Sequence, residues 1–265
     1  MKLGVSYNVF DGEELLEGSI KQIRNQVDYV SVVYQTKSNL GNSCDKNLVP
    51  LLKRLQKNGL IDYIEEYKPI GINPHFDEIT KRNIGLELSK KENCTHHMSM
   101  DTDEYYLLED FISVKKLIEE NDYDSSYCQM RTYYKTWDYQ LDPPEDYYVS
   151  LIYKIKQNSK FIFAHNCPVL VDPTRRMSLC ESPIILQREQ IEMHHGSYIR
   201  NNIRTKLTNS SASVNFSKEI DKLVNHYDNW EYPQEVLWGG LPSKYLKVKE
   251  VKNKFLLIKQ YGKKI

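Results

Sequence analysis

The sequence predicts an α/β fold with a mostly parallel central sheet, helices on both faces and a smaller antiparallel part toward the C-terminus. In the first half, short runs of β-branched residues alternate with stretches whose apolar residues recur at helical spacing. This pattern is typical of a parallel sheet covered by helices. In the second half, short strands follow one another between Pro or Asn turns, which indicates antiparallel pairing. A chain of 265 residues with 40% hydrophobic composition can form one large core, so we expect a single domain.

The first half divides into strands and helices at recognisable boundaries. Tyr29–Gln35 is predicted as a strand because it is rich in β-branched residues. A helix over Leu48–Leu55 closes at Asn58-Gly59, a pair typical of a helix C-cap. The other predicted elements are a strand at Leu3–Val9, a helix at Leu16–Val27, a strand at Ile61–Tyr67, a helix at Phe76–Lys90 and a fourth strand that leads into Ser99–Tyr106. Ligands bind at the carboxyl ends of the strands in such sheets, and these ends are polar here.

The second half contains shorter predicted elements. Apolar residues between Phe216 and Tyr227 recur at helical spacing and indicate a late helix. The predicted strands are Ser125–Trp137, Tyr147–Ile155, Lys160–His165 and Pro168–Pro173. We find no internal repeat or linker, so both halves are expected to form one continuous domain.

Composition excludes several classes of protein. Lys and Arg together number 36, as do Asp and Glu, so no overall field attracts the chain to nucleic acid or to an anionic membrane. The five cysteines are widely spaced and form no CxxC pair, which argues against a disulfide framework or a structural zinc site. The sequence has neither a signal region nor a run approaching the roughly 20 apolar residues of a membrane span. We therefore expect a soluble cytoplasmic protein, with peripheral membrane contact left open.

An acidic stretch follows the fourth predicted strand. Asp101 and Asp103 are two residues apart, and in a strand such residues point to the same side, roughly 6.6–7 Å apart. Two carboxylates at a pocket rim suit Mg²⁺ or Mn²⁺, which retain waters and recruit phosphate oxygens from a substrate. Taken alone, the same spacing is more typical of a solvated turn or a helix N-cap than of a metal site.

The surrounding sequence resembles a known class of enzyme. The strand-helix repeats, the segment Lys81–Tyr106 with its D-x-D pair, and "MHHGSY" at Met193–Tyr198 together resemble glycosyltransferases of the GT-A fold, family 2-like, that use nucleotide-sugar donors. The resemblance covers roughly residues 1 to 210 and extends to the small glycosyltransferases of large DNA viruses, in which case the host cytoplasm is the expected location. It implies a nucleotide-sugar-binding half over residues 1–106, an acceptor and metal-completing half over 107–215, and a C-terminal helix and tail over 216–265.

The resemblance also implies roles for individual residues. Asp103 would coordinate Mn²⁺ or Mg²⁺, Asp101 would contact the donor ribose or the metal through water, and Glu104 would support them. A late histidine completes the metal site in that family, and strand alternation lets only one of His194 and His195 face it. His195 is preferred because Gly196 frees the backbone beside it.

The basic and polar residues around these acids are candidates for donor binding. The basic candidates Arg200, Arg204 and Lys206 would clamp the donor diphosphate, with a solvated helix face as the alternative. Further donor contacts are expected from Asn8, Asp11, Gln35 and Arg82. Asp11 also suits a helix N-cap, and a salt bridge that holds the acids is the alternative for Arg82.

An inverting transferase needs a carboxylate that deprotonates the acceptor hydroxyl. Glu145 and Asp146 are the candidates and Asp138 is the third, while a simple turn explains the "PPED" stretch equally well. His165 would line the acceptor side or pack in the core. The two arginines that end the segment Ala164–Arg176 receive no role from their chemistry.

The leading interpretation is thus a metal-dependent glycosyltransferase that acts on a hydroxyl acceptor, such as a glycan in glycan biosynthesis, without a nucleic-acid partner. A sugar nucleotidyltransferase is the first alternative, but it would need a glycine-rich basic loop, and "SYNVFDGEE" is acidic with one glycine. A non-catalytic carbohydrate-binding protein of the same fold is the second, and it would not need acids, histidines and arginines in the order of a donor site.

Overall fold

The strand Leu3–Val9 lies in the middle of the sheet, because all seven of its side chains are buried. Such a strand needs cover on both faces, which helices of an α/β fold provide. It pairs in parallel with Tyr29–Tyr34 on one side and with His96–Asp101 on the other. The ends of these strands therefore meet at one edge, where Asn8 is the register partner of Asp101.

The computed structural model describes residues 1–71, 73–164, 168–210, 213, 216–239 and 243–255. The helices are α1 Glu13–Ile23, α2 Leu48–Lys57, α3 Pro74–Lys91, α4 Leu108–Glu120, α5 Ile203–Asn209 and α6 Ile220–Asn229. The strands are β1 Leu3–Val9, β2 Tyr29–Tyr34, β3 Tyr63–Glu66, β4 His96–Asp101, β5 Glu104–Tyr105, β6 Ser125–Tyr134, β7 Thr136–Leu141, β8 Tyr148–Lys154, β9 Phe161–Ile162, β10 Arg176–Met177, β11 Pro183–Ile185, β12 Glu192–Tyr198, β13 Val236–Trp238, β14 Lys244–Leu246 and β15 Val248–Glu250.

The central sheet changes from parallel to antiparallel at β4. Its main path runs β15-β7-β6-β8-β4-β1-β2-β3, and β1 to β4 are parallel neighbours, whereas β8 is antiparallel to both β4 and β6. Strand β12 then pairs in parallel with β6 and antiparallel with the short β5. This confirms the predicted fold class, a GT-A-like α/β arrangement with small antiparallel sheets beside the main one. The acids follow β4, at the transition between the two kinds of pairing.

Helix α3 lies unusually close to β1 because of Gly85. A Cβ atom at this position would lie 2.1 Å from Ser6 Oγ, so only glycine permits this approach. Asn73 caps the helix, with its side chain accepting a hydrogen bond from the His75 amide at 2.8 Å. The close packing inserts Arg82, whose side chain is 1% exposed, beneath the end of β4.

Three predicted elements differ from the structure. The predicted strand Ser125–Trp137 is two antiparallel strands, β6 and β7, because the chain reverses at Lys135, whose φ is 63°. Pro168–Pro173 is not a strand but a loop that leads into a 3-10 turn at Pro173–Arg175, because proline cannot donate to a strand ladder and favours the start of such a turn. The late helix begins at Ile220 after a 3-10 turn rather than at Phe216. The tail 256–265 lies outside the described residues.

The apolar residues separate into a main core and a C-terminal aromatic cluster. The main core packs the parallel strands against α1, α2 and α4, while the second cluster surrounds α6 and includes Tyr134, Tyr198 and Trp230. Over the part of the chain that is described, no helix combines the length and apolar character required to cross a bilayer.

Candidate active site

The acidic stretch forms a turn at the carboxyl edge of the sheet. Strand β4 ends at Asp101, and Thr102 and Asp103 form the turn before β5. The sequence had suggested that strand alternation brings the two aspartates together. In the structure a turn does so instead. The Asp103 side chain is 3% exposed, whereas that of Asp101 is 36% exposed, so the two carboxylates face different surroundings.

Asp103 is held by two cations from the second half of the chain. Arg200 Nη2 lies 2.5 Å from Asp103 Oδ2, and Lys206 Nζ lies 3.2 Å from the same oxygen. Burial raises the pKa of Asp103, but the charges of Lys206 and Arg200 lower it by a larger amount. The pKa therefore lies well below its ordinary value, and the carboxyl is ionised. Gly196 fixes the turn from the other side, because its amide donates to the Asp103 carbonyl at 2.7 Å.

Asp101 is held by a different pair of arginines. Arg175 Nη2 lies 2.5 Å from Asp101 Oδ2, and Arg82 Nη2 lies 3.5 Å from Oδ1. Burial alone would raise the pKa of Asp101, but the charges of Arg175 and Arg82 hold it at about 2. Arg175 also donates to the buried carboxylate of Glu104, and burial raises the pKa of Glu104 to about 7.

Arg175 is the main residue of the site to which the sequence assigned no role. It reaches the acids from the 3-10 turn at Pro173–Arg175, which Asp172 caps by accepting a hydrogen bond from the Thr174 amide at 2.8 Å. The only sequence signal was the pair of arginines after an Asp-Pro turn, and nothing in their spacing indicated which acids they would meet.

Strand alternation separates the two neighbouring histidines. His195 Nε2 lies 3.8 Å from Asp103 Oδ1, and its Nδ1 lies 3.4 Å from Thr132 Oγ1. Burial lowers the pKa of His195 to about 4, so the ring is neutral at pH 7. His194 points to the opposite face, where its Nδ1 lies 2.9 Å from the Tyr133 hydroxyl oxygen. The arrangement places only the preferred histidine beside the acids.

The residues around Asp103 fit a divalent cation with few protein ligands. No group of three or more His, Cys, Asp and Glu side chains with metal-binding geometry occurs among the residues that the structure describes. Asp103 Oδ1 and the neutral His195 nevertheless offer one oxygen and one nitrogen at the same point. Mg²⁺ and Mn²⁺ sites commonly take their remaining ligands from water and from substrate phosphates.

A cleft of about 620 Å³ opens over these side chains. Six predicted donor-binding residues line it, namely Asn8, Asp11, Gln35, Arg82, Asp101 and Lys206. Arg82 Nη1 donates to Ser99 Oγ at 2.8 Å, and Asn8 Nδ2 donates to the same oxygen at 3.2 Å. This pairing leaves Asn8 Oδ1 buried without a hydrogen-bond partner among the described residues.

The polar groups at the far end of the cleft form a network. Lys81 Nζ donates to Gln35 Oε1 at 2.6 Å, and Gln35 Nε2 donates to Asn39 Oδ1 at 2.8 Å. Asp11 is not a helix cap, since Gly12 occupies the N-cap position with a φ of 74° and no side-chain cap bond. A Cβ at Gly12 would lie 2.4 Å from Thr102 Oγ1, so this glycine lets the start of α1 approach the acidic turn.

The predicted basic clamp is divided in the structure. Arg200 precedes α5, so it shares no helix face with Arg204. Lys206 lines the cleft, whereas Arg204 lies 2.7 Å from Asp221 with its side chain 52% exposed. Arg200 and Lys206 are therefore brought to Asp103, and Arg204 is directed away from it.

The structure does not bring the three candidate base residues into the lining of the cleft. Asp146 is exposed and accepts a hydrogen bond from Gln129 at 2.9 Å, and Asp138 accepts one from Thr136 at 2.9 Å. Glu145 is half-buried, and burial raises its pKa, partly offset by a hydrogen bond from Thr132. His165 and Cys167 lie outside the described residues.

Comparisons with known proteins give distant similarity only. No family model matches the chain, and no curated protein matches it. Among solved structures, S. aureus TarS 1–349 in complex with UDP-GlcNAc shows 18% identity and a TM-score of 0.37, covering 50% of this chain and 35% of that one. A second structure of TarS 1–349 shows 14% identity and a TM-score of 0.45, covering 79% and 66%. S. aureus TarS shows 13% identity and a TM-score of 0.46, covering 88% and 44%. This chain thus spans about a third of the length of the first of these structures, and similarity at this level is too distant to carry over an activity.

Proposed function

We propose that this protein is a glycosyltransferase that moves a sugar from a nucleoside-diphosphate-sugar to a hydroxyl acceptor with the help of Mn²⁺ or Mg²⁺. The observation that carries the proposal is the environment of Asp103, a buried carboxylate at the carboxyl edge of β4 with a neutral histidine on one oxygen and two cations on the other. This set of groups suits a diphosphate and a divalent cation bound side by side.

The charges of the cleft support a paired ligand. Its lining includes six carboxylates, Asp11, Glu78, Asp101, Asp103, Glu104 and Asp172, and four cationic side chains, Lys81, Arg82, Arg175 and Lys206, with Arg200 in contact behind Asp103. The cleft is therefore close to charge balance. A donor diphosphate adds about two negative charges, which a divalent cation would compensate in a site where unbalanced charge is costly.

Different residues of the cleft bind the nucleoside, the diphosphate and the cation. Asn8, Gln35 and Arg82 hold the nucleoside end of the donor, and Asp101 contacts the ribose. Lys206 binds the diphosphate oxygens and stabilises the negative charge that develops on the leaving nucleoside diphosphate. Arg200, which was predicted to share this role, holds the Asp103 carboxylate from behind instead. Asp103 and His195 would hold the cation, which when bound polarises the phosphates as a Lewis acid.

The acceptor hydroxyl must lose its proton as it attacks the anomeric carbon. We infer that a carboxylate takes this proton and that Glu145 is the leading candidate, because burial raises its pKa and its Oε2 atom is buried without a hydrogen-bond partner among the described residues. Glu145→Gln should leave donor binding intact and reduce transfer by at least ~100-fold. Asp146→Asn serves as the matched control, and loss of transfer in that variant instead would move the base to Asp146.

A donor screen tests the proposal as a whole. The protein is heated with UDP-, GDP- and TDP-sugars and with the corresponding diphosphates, each with and without Mn²⁺, while Tm and nucleotide release are measured. We expect one nucleotide to raise Tm, and to do so more with metal, because a ligand that binds the native state stabilises it. No response to any nucleotide would reject a donor site. Stabilisation without release or transfer to any acceptor would favour a carbohydrate-binding protein without catalytic activity.

A further inference from the structure

We propose that Arg175 is a positioning residue of the acidic turn and that its charge makes tight metal binding depend on the donor diphosphate. The inference rests on the proposed function and extends it to a residue that does not belong to the predicted site. Arg175 bridges two carboxylates with one nitrogen, since Nη2 lies 2.5 Å from Asp101 Oδ2 and also donates to Glu104 Oε1.

The backbone of Arg175 is held in place behind the acidic turn. Arg175 is the last residue of the 3-10 turn capped by Asp172, and its carbonyl accepts a hydrogen bond from the Tyr153 hydroxyl at 2.8 Å. Tyr153 is 1% exposed and belongs to β8, the strand next to β4. A side chain that is 7% exposed and anchored at both ends fixes the direction of the Asp101 carboxylate.

The local charges then decide what the acidic turn binds. Four carboxylates, Asp101, Asp103, Glu104 and Asp172, are in contact with four cations, Arg82, Arg175, Arg200 and Lys206, so the charges of this cluster are balanced. A divalent cation that binds at Asp103 alone adds uncompensated positive charge to this balanced set and is bound weakly. A diphosphate that arrives with it, or before it, supplies the missing negative charge, so each ligand strengthens binding of the other by the same factor.

Removal of the Arg175 charge should therefore shift the two affinities in opposite directions. Coulomb interactions between charges several ångströms apart near a protein surface change affinities by about tenfold. Arg175→Met should bind Mn²⁺ alone about tenfold more tightly and a nucleoside diphosphate alone about tenfold more weakly. A loss of structure at the site would weaken both, so the opposite signs distinguish charge from disruption.

The adjacent Arg176 provides a matched control. Arg176 is 3% exposed and follows the same 3-10 turn directly. Its guanidinium, however, donates to the Val169 carbonyl and lies 5.5 Å from the centre of the Tyr127 ring. Arg176→Met thus removes a buried arginine from the same segment without touching the acids. We expect it to change both affinities by less than about twofold.

The experiment is calorimetric titration of the full chain and its variants with three probes. The first probe is MnCl₂ alone. The second is a nucleoside diphosphate in the presence of chelator, chosen from UDP, GDP and TDP as the one that most raises the wild-type Tm. The third is MnCl₂ in the presence of that nucleotide. Opposite changes in Arg175→Met, with restoration toward wild-type values in Arg175→Lys, would support the inference. Equal changes in both affinities, or no change, would overturn it.

Two further outcomes separate the inference from the function. If circular dichroism shows that Arg175→Met does not fold, Arg175→Gln is titrated in its place and judged by the same criterion. If the wild type binds neither probe in any combination, the proposed function itself is wrong and the inference falls with it. A wild type that binds both probes without mutual enhancement leaves the function standing and overturns the inference alone.

Discussion

The two halves of the molecule contribute to the candidate site in different ways. The first half supplies its acids at the end of a regular parallel strand, β4, beside the end of β1. The second half supplies three of the four counter-charges, from the turn before β10, the loop before α5 and α5 itself, and only Arg82 comes from the first half. The comparison teaches that the position of the acids follows from sheet topology, whereas their ionisation depends on segments that topology does not define.

We expect the largest effect on stability from substitution of Asp103, the residue at which the two halves meet. Asp103→Ala leaves the buried Arg200 and the adjacent Lys206 without their carboxylate. We expect a loss of about 3–5 kcal/mol in the free energy of unfolding, because an unpaired buried charge is costly, and no remaining Mn²⁺-dependent rise in Tm. Denaturant unfolding and thermal melts measure both. Asp221→Ala, which removes the exposed partner of Arg204, is the control, and a metal-dependent Tm rise that survives in Asp103→Ala would contradict the metal assignment.

The second prediction concerns the pH dependence of the free energy of unfolding, which tests whether the two halves unfold together. Burial lowers the pKa of His97, on β4, and of His194, on β12, to about 3. Because the folded pKa lies below the unfolded value, the unfolded chain takes up the protons first. Stability is therefore complete above about pH 6.5 and falls as the pH decreases, by up to about 1.4 kcal/mol per pH unit for each histidine.

Denaturant unfolding between pH 7 and pH 5 measures this slope. If the halves form one cooperative unit, His97→Gln and His194→Gln should each reduce the slope by the same amount. A reduction seen in only one variant, or two separate transitions, would show that the halves unfold independently.

A smaller effect is expected where the first half positions Arg82. Gly85→Ala places a Cβ 2.1 Å from Ser6 Oγ, and overpacking of this kind typically costs about 1–3 kcal/mol. The displaced α3 should also weaken nucleotide binding, measured by calorimetry. The double variant Ser6→Gly with Gly85→Ala removes the clash, and failure of this pair to recover nucleotide affinity would mean that helix packing does not set the position of Arg82.

The smallest effect compares two cations of one helix. Lys206→Met should weaken binding of a nucleoside diphosphate in chelator by about tenfold, because Lys206 faces the cleft beside Asp103. Arg204→Met, on the same helix but paired with exposed Asp221, should change it by less than twofold. Equal effects of the two substitutions would indicate a diffuse basic surface instead of a defined diphosphate site.

The sequence predicted the parts of the site that follow from periodicity. Strand and helix spacing located the end of β4, alternation predicted that only one of His194 and His195 faces the acids, and the neighbouring Gly196 favoured His195. The interpretation of Asp11 as a cap was wrong because the left-handed Gly12 begins α1, and cap preferences do not reveal which neighbour adopts that conformation. Arg175 could not be found, since its contact with Asp101 spans 74 positions of sequence and depends on how a loop returns to the sheet.

The long sequence separation between the acids and their cationic partners has a consequence for folding, because the chain is synthesised from its N-terminus. The cations that neutralise the acidic turn follow it by 74, 97 and 103 positions. During synthesis from the N-terminus the parallel strands are complete while Asp101 and Asp103 still lack these partners, so the acids must remain hydrated until the later segments arrive. Closure of the cleft is then a late step, limited by the formation of contacts distant in sequence.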